Sequence, residues 1–151
     1  MIGADILFPN STRSRASLLV VLIFLFAGCS KTTTVEYVVP NGYSGILKIR
    51  AMQRNGVSIG KTNQIIRLVF PESGVLAITS RLPSEQWHIP IARYRNGTAI
   101  PVVTDGAGNP AAVSFRSVGS IDDKEEWFVI GTFEDLKAAK EKKDGFKWPS
   151  N

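Results

Sequence analysis

Beyond residue 34 the chain alternates between short runs rich in Val, Ile, Phe and Tyr and clusters of turn-forming residues. The clusters are Pro-Asn-Gly at 40–42, Asn-Gly at 55–56, Pro-Glu-Ser-Gly at 71–74, Asn-Gly at 96–97 and Asp-Gly-Ala-Gly-Asn-Pro at 105–110. Turn signals this frequent, between runs too short for helices, predict strands. They are expected near Val35 to Val39, Gly45 to Met52, Gln64 to Phe70, Val75 to Ser80, Ile89 to Arg95, Thr98 to Val103, Ala112 to Val118 and Trp127 to Ile130. Some seven or eight short strands of this kind predict an all-β fold, a β-sandwich or a partly open barrel.

The sharpest local expectation is a hairpin over Ile89 to Val103, with Asn96-Gly97 supplying the two positive-φ positions of a type I′ turn. That register sets Arg95 opposite Thr98, Ala92 opposite Pro101 and Pro90 opposite Val103. Both prolines then lack an N–H that would have pointed away from the partner strand, which places the ribbon at a sheet edge or protruding. One C-terminal α-helix is expected, with Thr132 as N-cap, Glu134 and Asp135 in its first turn, Phe133 and Leu136 docking it, and its end before Gly145.

The N-terminal pattern is different. Arg13 and Arg15 precede an apolar run from Ala16 to Ala27 that carries no charge, the layout of a secretory signal. As a helix this run would extend ~18 Å, short of the ~30 Å hydrocarbon core of a bilayer. The stretch Phe26-Ala27-Gly28-Cys29 resembles the lipobox of bacterial lipoproteins, with Phe26 where leucine is usual. The resemblance implies that Cys29 receives a diacylglycerol group, with acyl chains of the palmitate type, and becomes the new N-terminus. A thiolate is nucleophilic enough to form the required thioether, and two or three acyl chains hold where one is marginal. Ser30 follows where Asp would resemble an inner-membrane retention signal, so the outer membrane, facing the periplasm, is favoured. The expected organisation is a signal peptide at 1–28, a short tether at 29–34, a single β-rich domain at 35–146 and a tail at 147–151.

Composition adds limits. Charged residues make up 21% of the chain and the formal net charge is +5; the densest basic stretch, from Lys137 to Lys147, is interleaved with acids and reads as a solvated helix face. Aromatics do not alternate with bases as on an RNA-recognition or single-strand-binding sheet, which argues against nucleic acid. With Cys29 consumed by lipid, the body holds no thiol for a disulfide.

Catalytic signals are thin. The sole histidine, His88, has no second histidine for a metal site, and Asp105-Gly-Ala-Gly-Asn-Pro110 lacks the spaced donors of a calcium loop. Ser84, His88 and Asp105 form a triad only on paper, without a nucleophile elbow. Asp122, Asp123, Glu125 and Glu126 could furnish an acidic pair but read as a solvated loop before a strand. Trp87, His88, Arg93, Tyr94 and Arg95 gather aromatic and cationic groups of the kind that anchor interfaces. Strand alternation sets Arg93 and Arg95 on one face and Tyr94 on the other, so they cannot all meet one ligand.

Three further stretches, Tyr37-Val-Val-Pro-Asn-Gly-Tyr-Ser-Gly45, Pro71-Glu-Ser-Gly-Val-Leu76 and Trp127-Phe-Val-Ile-Gly-Thr132, resemble an uncharacterised domain family of bacterial envelope lipoproteins. There a strand ends in Pro-x-Gly-Tyr-x-Gly, a Pro-x-x-Gly lies centrally, and Phe-Val-Gly-Thr precedes a short helix; Ile130 interrupts the last. The resemblance implies a β-rich fold and an envelope location, with no activity or site to carry over. The expectation is therefore a non-enzymatic, lipid-anchored binding or assembly module without cofactor or metal, its partners the membrane and an envelope protein. The alternative is an envelope hydrolase using His88 or an acidic pair.

Overall fold

Two mixed five-stranded sheets carry the fold, in the orders β3-β4-β1-β6-β7 and β5-β2-β10-β9-β8. The computed structural model describes residues 32–104 and 108–146. Cys29 with the apolar run before it, Asp105 and the tail 147–151 lie outside the described residues.

The first sheet is built around β1 (Thr33–Val39), which pairs in parallel with both β4 (Ile65–Val69) and β6 (His88–Tyr94). β3 (Lys61–Thr62) and β7 (Ala99–Ile100) form its edges. In the second, β10 (Glu125–Gly131) runs antiparallel between β2 (Gly45–Arg50) and β9 (Ser114–Ile121). β5 (Val75–Ala77) and β8 (Val102–Val103) form the edges here, both paired in parallel. The sandwich with a C-terminal helix is thus realised among the described residues, and neither sheet closes into a barrel. Its four parallel strand pairs, unlike hairpins, leave no short-range turn signature.

The inner faces meet over a core of Val35, Tyr37 and Val39 from β1, Leu47 and Ile49 from β2, Leu68 and Phe70 around β4, and Phe128 and Ile130 from β10. Tyr37, Phe115 and Phe128 form an aromatic cluster at its centre, with ring centroids 4.6 to 5.0 Å apart. A second, smaller core lies on the far side of β10, where Trp127, Val129 and Val118 meet Leu136 and Ala139 of α1 (Phe133–Asp144). Every residue of β10 is consequently buried. The helix starts as expected: Thr132 caps it, with its hydroxyl accepting from the Asp135 N–H and Asp135 accepting from the Thr132 N–H at 2.7 Å, a capping box.

The hairpin register differs from the expectation by one residue. Ala92 lies opposite Ile100 and Arg93 opposite Ala99, and the turn is a three-residue loop closed by Tyr94 N–H to Thr98 O and Gly97 N–H to Tyr94 O. Of the Asn96-Gly97 pair only Gly97 takes a positive φ, +91°. The reason lies on the other side of the strand: Arg95 donates its N–H to Val39 O of β1, so it cannot turn toward Thr98. A two-residue turn with both φ values positive occurs instead at Asn63 and Gln64 (φ 49° and 66°), joining β3 to β4, where only the strand after it was expected.

The prolines serve the edge in a modified way. Arg95 bonds toward β1 and Tyr94 toward β7, so even-numbered residues of β6 point their backbone outward, and the missing N–H of Pro90 faces the unpaired stretch of that edge. Pro101 interrupts the return strand, whose two halves join different sheets as β7 and β8. The turn motifs of the family resemblance also meet in space. Tyr43 donates to Ile46 O at 2.7 Å and lies against Gly74, where an added Cβ would fall 1.9 Å from the Tyr43 hydroxyl.

Candidate functional site

Strand alternation decides what faces the space between the sheets. On β10, Phe128 and Ile130 point inward, so Glu126 does too, while Glu125 points the other way with Trp127. Neither glutamate lies in a solvated loop: β10 begins two residues earlier than expected and both side chains are buried. The proposed acidic pair is therefore split across the sheet. Glu125 accepts from Trp127 Nε1 at 2.6 Å and Arg50 Nε at 2.8 Å, with Lys48 Nζ at 3.7 Å. Asp122 and Asp123 form the left-handed turn between β9 and β10.

Glu126 borders a cavity of about 610 Å³ that runs from the gap between the sheets to the side of α1. Tyr37, Phe115 and Phe128 supply its aromatic wall, Val102 and Val103 its edge, and His88, Glu126, Arg116 and Lys140 its charged or titratable groups. That size lies within the range usual for small-molecule sites, roughly 300 to 1,000 Å³. Burial pushes the Glu126 carboxyl above the ordinary carboxylate range, with Ser84 and the charge of nearby His88 pulling the other way. The same burial, with Glu126 adding to it, raises the Tyr37 phenol well above its usual value. At neutral pH the Tyr37 hydroxyl therefore stays protonated.

Two polar atoms bordering this cavity have no hydrogen-bond partner, Glu126 Oε2 on the inner face of the second sheet and Arg116 Nε on the face toward α1, where Arg116 lies opposite Val129. Arg116 is 2% exposed; among the described residues it pairs with no carboxylate, and its Nη2 lies 3.5 Å from Asn109 O. A buried polar atom without a partner is unfavourable, which singles out these two atoms, although Glu126 as a whole still interacts with Ser84 and His88. Sequence reasoning passed over both. Glu126 continues the inward parity of Phe128 and Ile130 and was readable once β10 is extended by two residues. Arg116 was not, because its burial depends on where α1 docks.

The five residues gathered from the sequence do not converge. Trp87 is 86% exposed ahead of β6, and His88 opens the strand with Nδ1 2.9 Å from Gln86 O and its ring at the cavity. Arg93 lies on the outer face with Nε 2.9 Å from Glu36. Tyr94 packs inward on the core. Arg95 binds Phe70 O at 2.7 Å and Glu72 at 2.6 Å. Only His88 touches the cavity. Among the described residues no three of His, Cys, Asp and Glu gather as a metal site requires.

No protein-family model matches this sequence, and no curated protein matches it. A 2.75 Å crystal structure of a Bacillus anthracis protein, provisionally described as a lipoprotein, is similar with a TM-score of 0.42 and 12% identity, covering 80% of this chain and 84% of that one. At that distance the likeness transfers neither activity nor location.

Proposed function

We propose that this chain is a lipoprotein held on a bacterial membrane by lipid on Cys29, and that its β domain acts there by binding, not by catalysis. One observation carries the reading. The single cysteine of the chain follows Ala27-Gly28 directly at the close of an uncharged apolar run, four positions ahead of the first residue of β1. Four residues reach ~14 Å at roughly 3.4 Å each, so the domain works close to its membrane. Ser30 favours the outer membrane, facing the periplasm, in a cell that has two.

Intact mass and membrane fractionation of the protein expressed in a bacterium, beside Cys29→Ser, test the anchor. The expected product starts at Cys29, is heavier by a diacylglycerol group, and leaves the membrane fraction in the variant. An unmodified soluble product from both genes would sink the reading.

The position of His88 and Glu126 on one cavity wall, with Glu126 biased toward its protonated form, favours an envelope hydrolase as the second reading. Glu126 would act as general acid. Turnover of an envelope polymer, abolished by both His88→Ala and Glu126→Gln in folded protein, would establish that reading at the expense of the first.

A further inference from the structure

β1, β4 and β6 run in parallel, so all three begin at one end of the first sheet. That end is where the chain enters the domain, since Thr33 opens β1 four positions after Cys29. The side chains that alternate with Val35 and Tyr37 and their neighbours form the outer face of this sheet. On it Ile65 and Ile89 flank Thr34, the first outward position of β1, and Ile91 lies one level further on, beside Glu36. These three isoleucines are 40 to 51% exposed, and Trp87, just ahead of β6, is 86% exposed. The charges on the same face are net positive, because Arg67 and Arg93 share the single carboxylate of Glu36. Lys61 of β3 adds a cation at this end, its Nζ donating to Thr33 Oγ1 at 2.8 Å. Exposed apolar residues set among polar ones mark interaction sites, membranes among them. Tryptophan in particular is favoured at the level of lipid headgroups, its indole body being apolar and its N–H polar.

We propose that this end of the first sheet's outer face seats on the lipid bilayer itself, with Trp87, Ile65 and Ile89 entering the boundary between headgroups and acyl chains. The length of the lead-in favours lipid over a protein as the occupant. Four residues reach ~14 Å at roughly 3.4 Å each, so Thr33 stands no further than that from the lipid on Cys29. A single protein layer, itself about 10 Å thick, would take up most of that gap even with the lead-in fully extended. The charge agrees with the geometry, since a net positive face is attracted to anionic headgroups. Arg67 and Arg93 lie one and two levels beyond the first isoleucines, where long side chains hold their charge at the headgroups while the apolar residues pass beneath. The inference rests on the anchor at Cys29, which fixes the end of the domain that meets the membrane.

The test is tryptophan quenching in the protein as the expressing bacterium makes it, placed on vesicles of phosphatidylcholine and phosphatidylglycerol whose acyl chains are brominated near the headgroups. Trp148→Phe is carried throughout, which leaves Trp87 and the buried Trp127 as the emitters. Adding Trp87→Phe gives the Trp127 background, whose unshifted and unquenched emission also reports that the fold is intact. The emission of Trp87 should shift to the blue on plain vesicles and be lost on brominated ones. Ile65→Ser together with Ile89→Ser should restore most of it. Mass spectrometry of the same sample separates this inference from the anchor. An unquenched Trp87 on protein that carries the diacylglycerol group, the result a protein partner on this face would give, overturns the inference and leaves the anchor standing. Quenching of Trp87 in protein without that group sinks the anchor and keeps the lipid-facing surface, and protein with neither overturns both.

Discussion

Each sheet turns a glutamate outward from its central strand and holds it with cations on neighbouring strands, yet the two outer faces are built to different ends. On the first sheet Glu36 of β1 lies between Arg67 of β4 and Arg93 of β6. On the second, Glu125 of β10 lies beside Lys48 and Arg50 of β2. The difference is what lies above. Trp127 beside Glu125 is covered by α1 and Phe146, with Lys48 Nζ 3.5 Å from its ring centre. No described element covers the first sheet, where Ile65, Val69, Ile89 and Ile91 remain 40 to 51% exposed around the Glu36 ion pairs. A covered ion pair belongs to the fold's stability, whereas an open one interrupts an exposed apolar face with charge. The same arrangement of charge thus does two jobs according to its burial.

The largest effect that should separate the faces comes from truncating one apolar residue on each. Trp127→Ala should lower the unfolding free energy by about 4 kcal/mol, a buried aromatic lost together with its cavity. Ile91→Ala should change it by less than about 0.5 kcal/mol, as an exposed position does. Urea denaturation measures both, and equal losses would mean that the first sheet's outer face is covered after all.

Removing the charges comes next. Glu125→Gln should cost about 2 kcal/mol, because it strips a buried partner from Arg50, Lys48 and the Trp127 N–H. Glu36→Gln should cost about 1 kcal/mol, its arginines being well exposed to water. High salt should weaken the Glu36 contribution more than the Glu125 contribution; the reverse order in a salt series would break the comparison. Thr132→Ala removes the cap of the helix that covers the second sheet and should lower stability by about 1 kcal/mol. Amide exchange should quicken across α1 and leave β1 unchanged.

The last comparison is one of slope with pH. Glu126, on the inner face of the second sheet, has its carboxyl raised above 4.5 by burial. The folded state therefore holds that proton more tightly than the unfolded chain, and stability falls as pH rises from the ordinary value through the folded one. Asp135, lowered by its hydrogen bonds with Thr132, works in the opposite sense: its contribution is present above the ordinary carboxylate value and fades as pH falls through the folded one. Glu126→Gln should remove the first slope and leave the second, while Asp135→Asn should do the converse. Chemical denaturation across pH 3 to 8 (a range of about 5 units around the carboxylate values) checks both signs.

Much of this architecture was legible. The eight strand runs expected between turn clusters cover nine of the ten strands, and Thr132 with Asp135 announced the helix start, because a cap and its partner lie three residues apart on one chain. β3 escaped, being two residues long, and the return strand after Thr98 broke in two at Pro101. The hairpin register slipped by one because Arg95 is held by β1, a strand more than fifty residues earlier in the chain. At the cavity, His88 was singled out as the lone histidine, while Glu126 was set aside as one acid in a solvated run.

By itself, then, the sequence determined what depends on neighbours along the chain: which segments are strands, where the helix begins, and the apolar run that ends at Cys29. Tertiary structure alone decided the parallel pairings, the separation of Glu125 from Glu126, and the burial of Arg116 beneath α1. Turns and caps are local chemistry and leave a local signature. The pairing of distant strands and the desolvation of a charge are energies of the assembled fold, shared among residues that the chain keeps far apart.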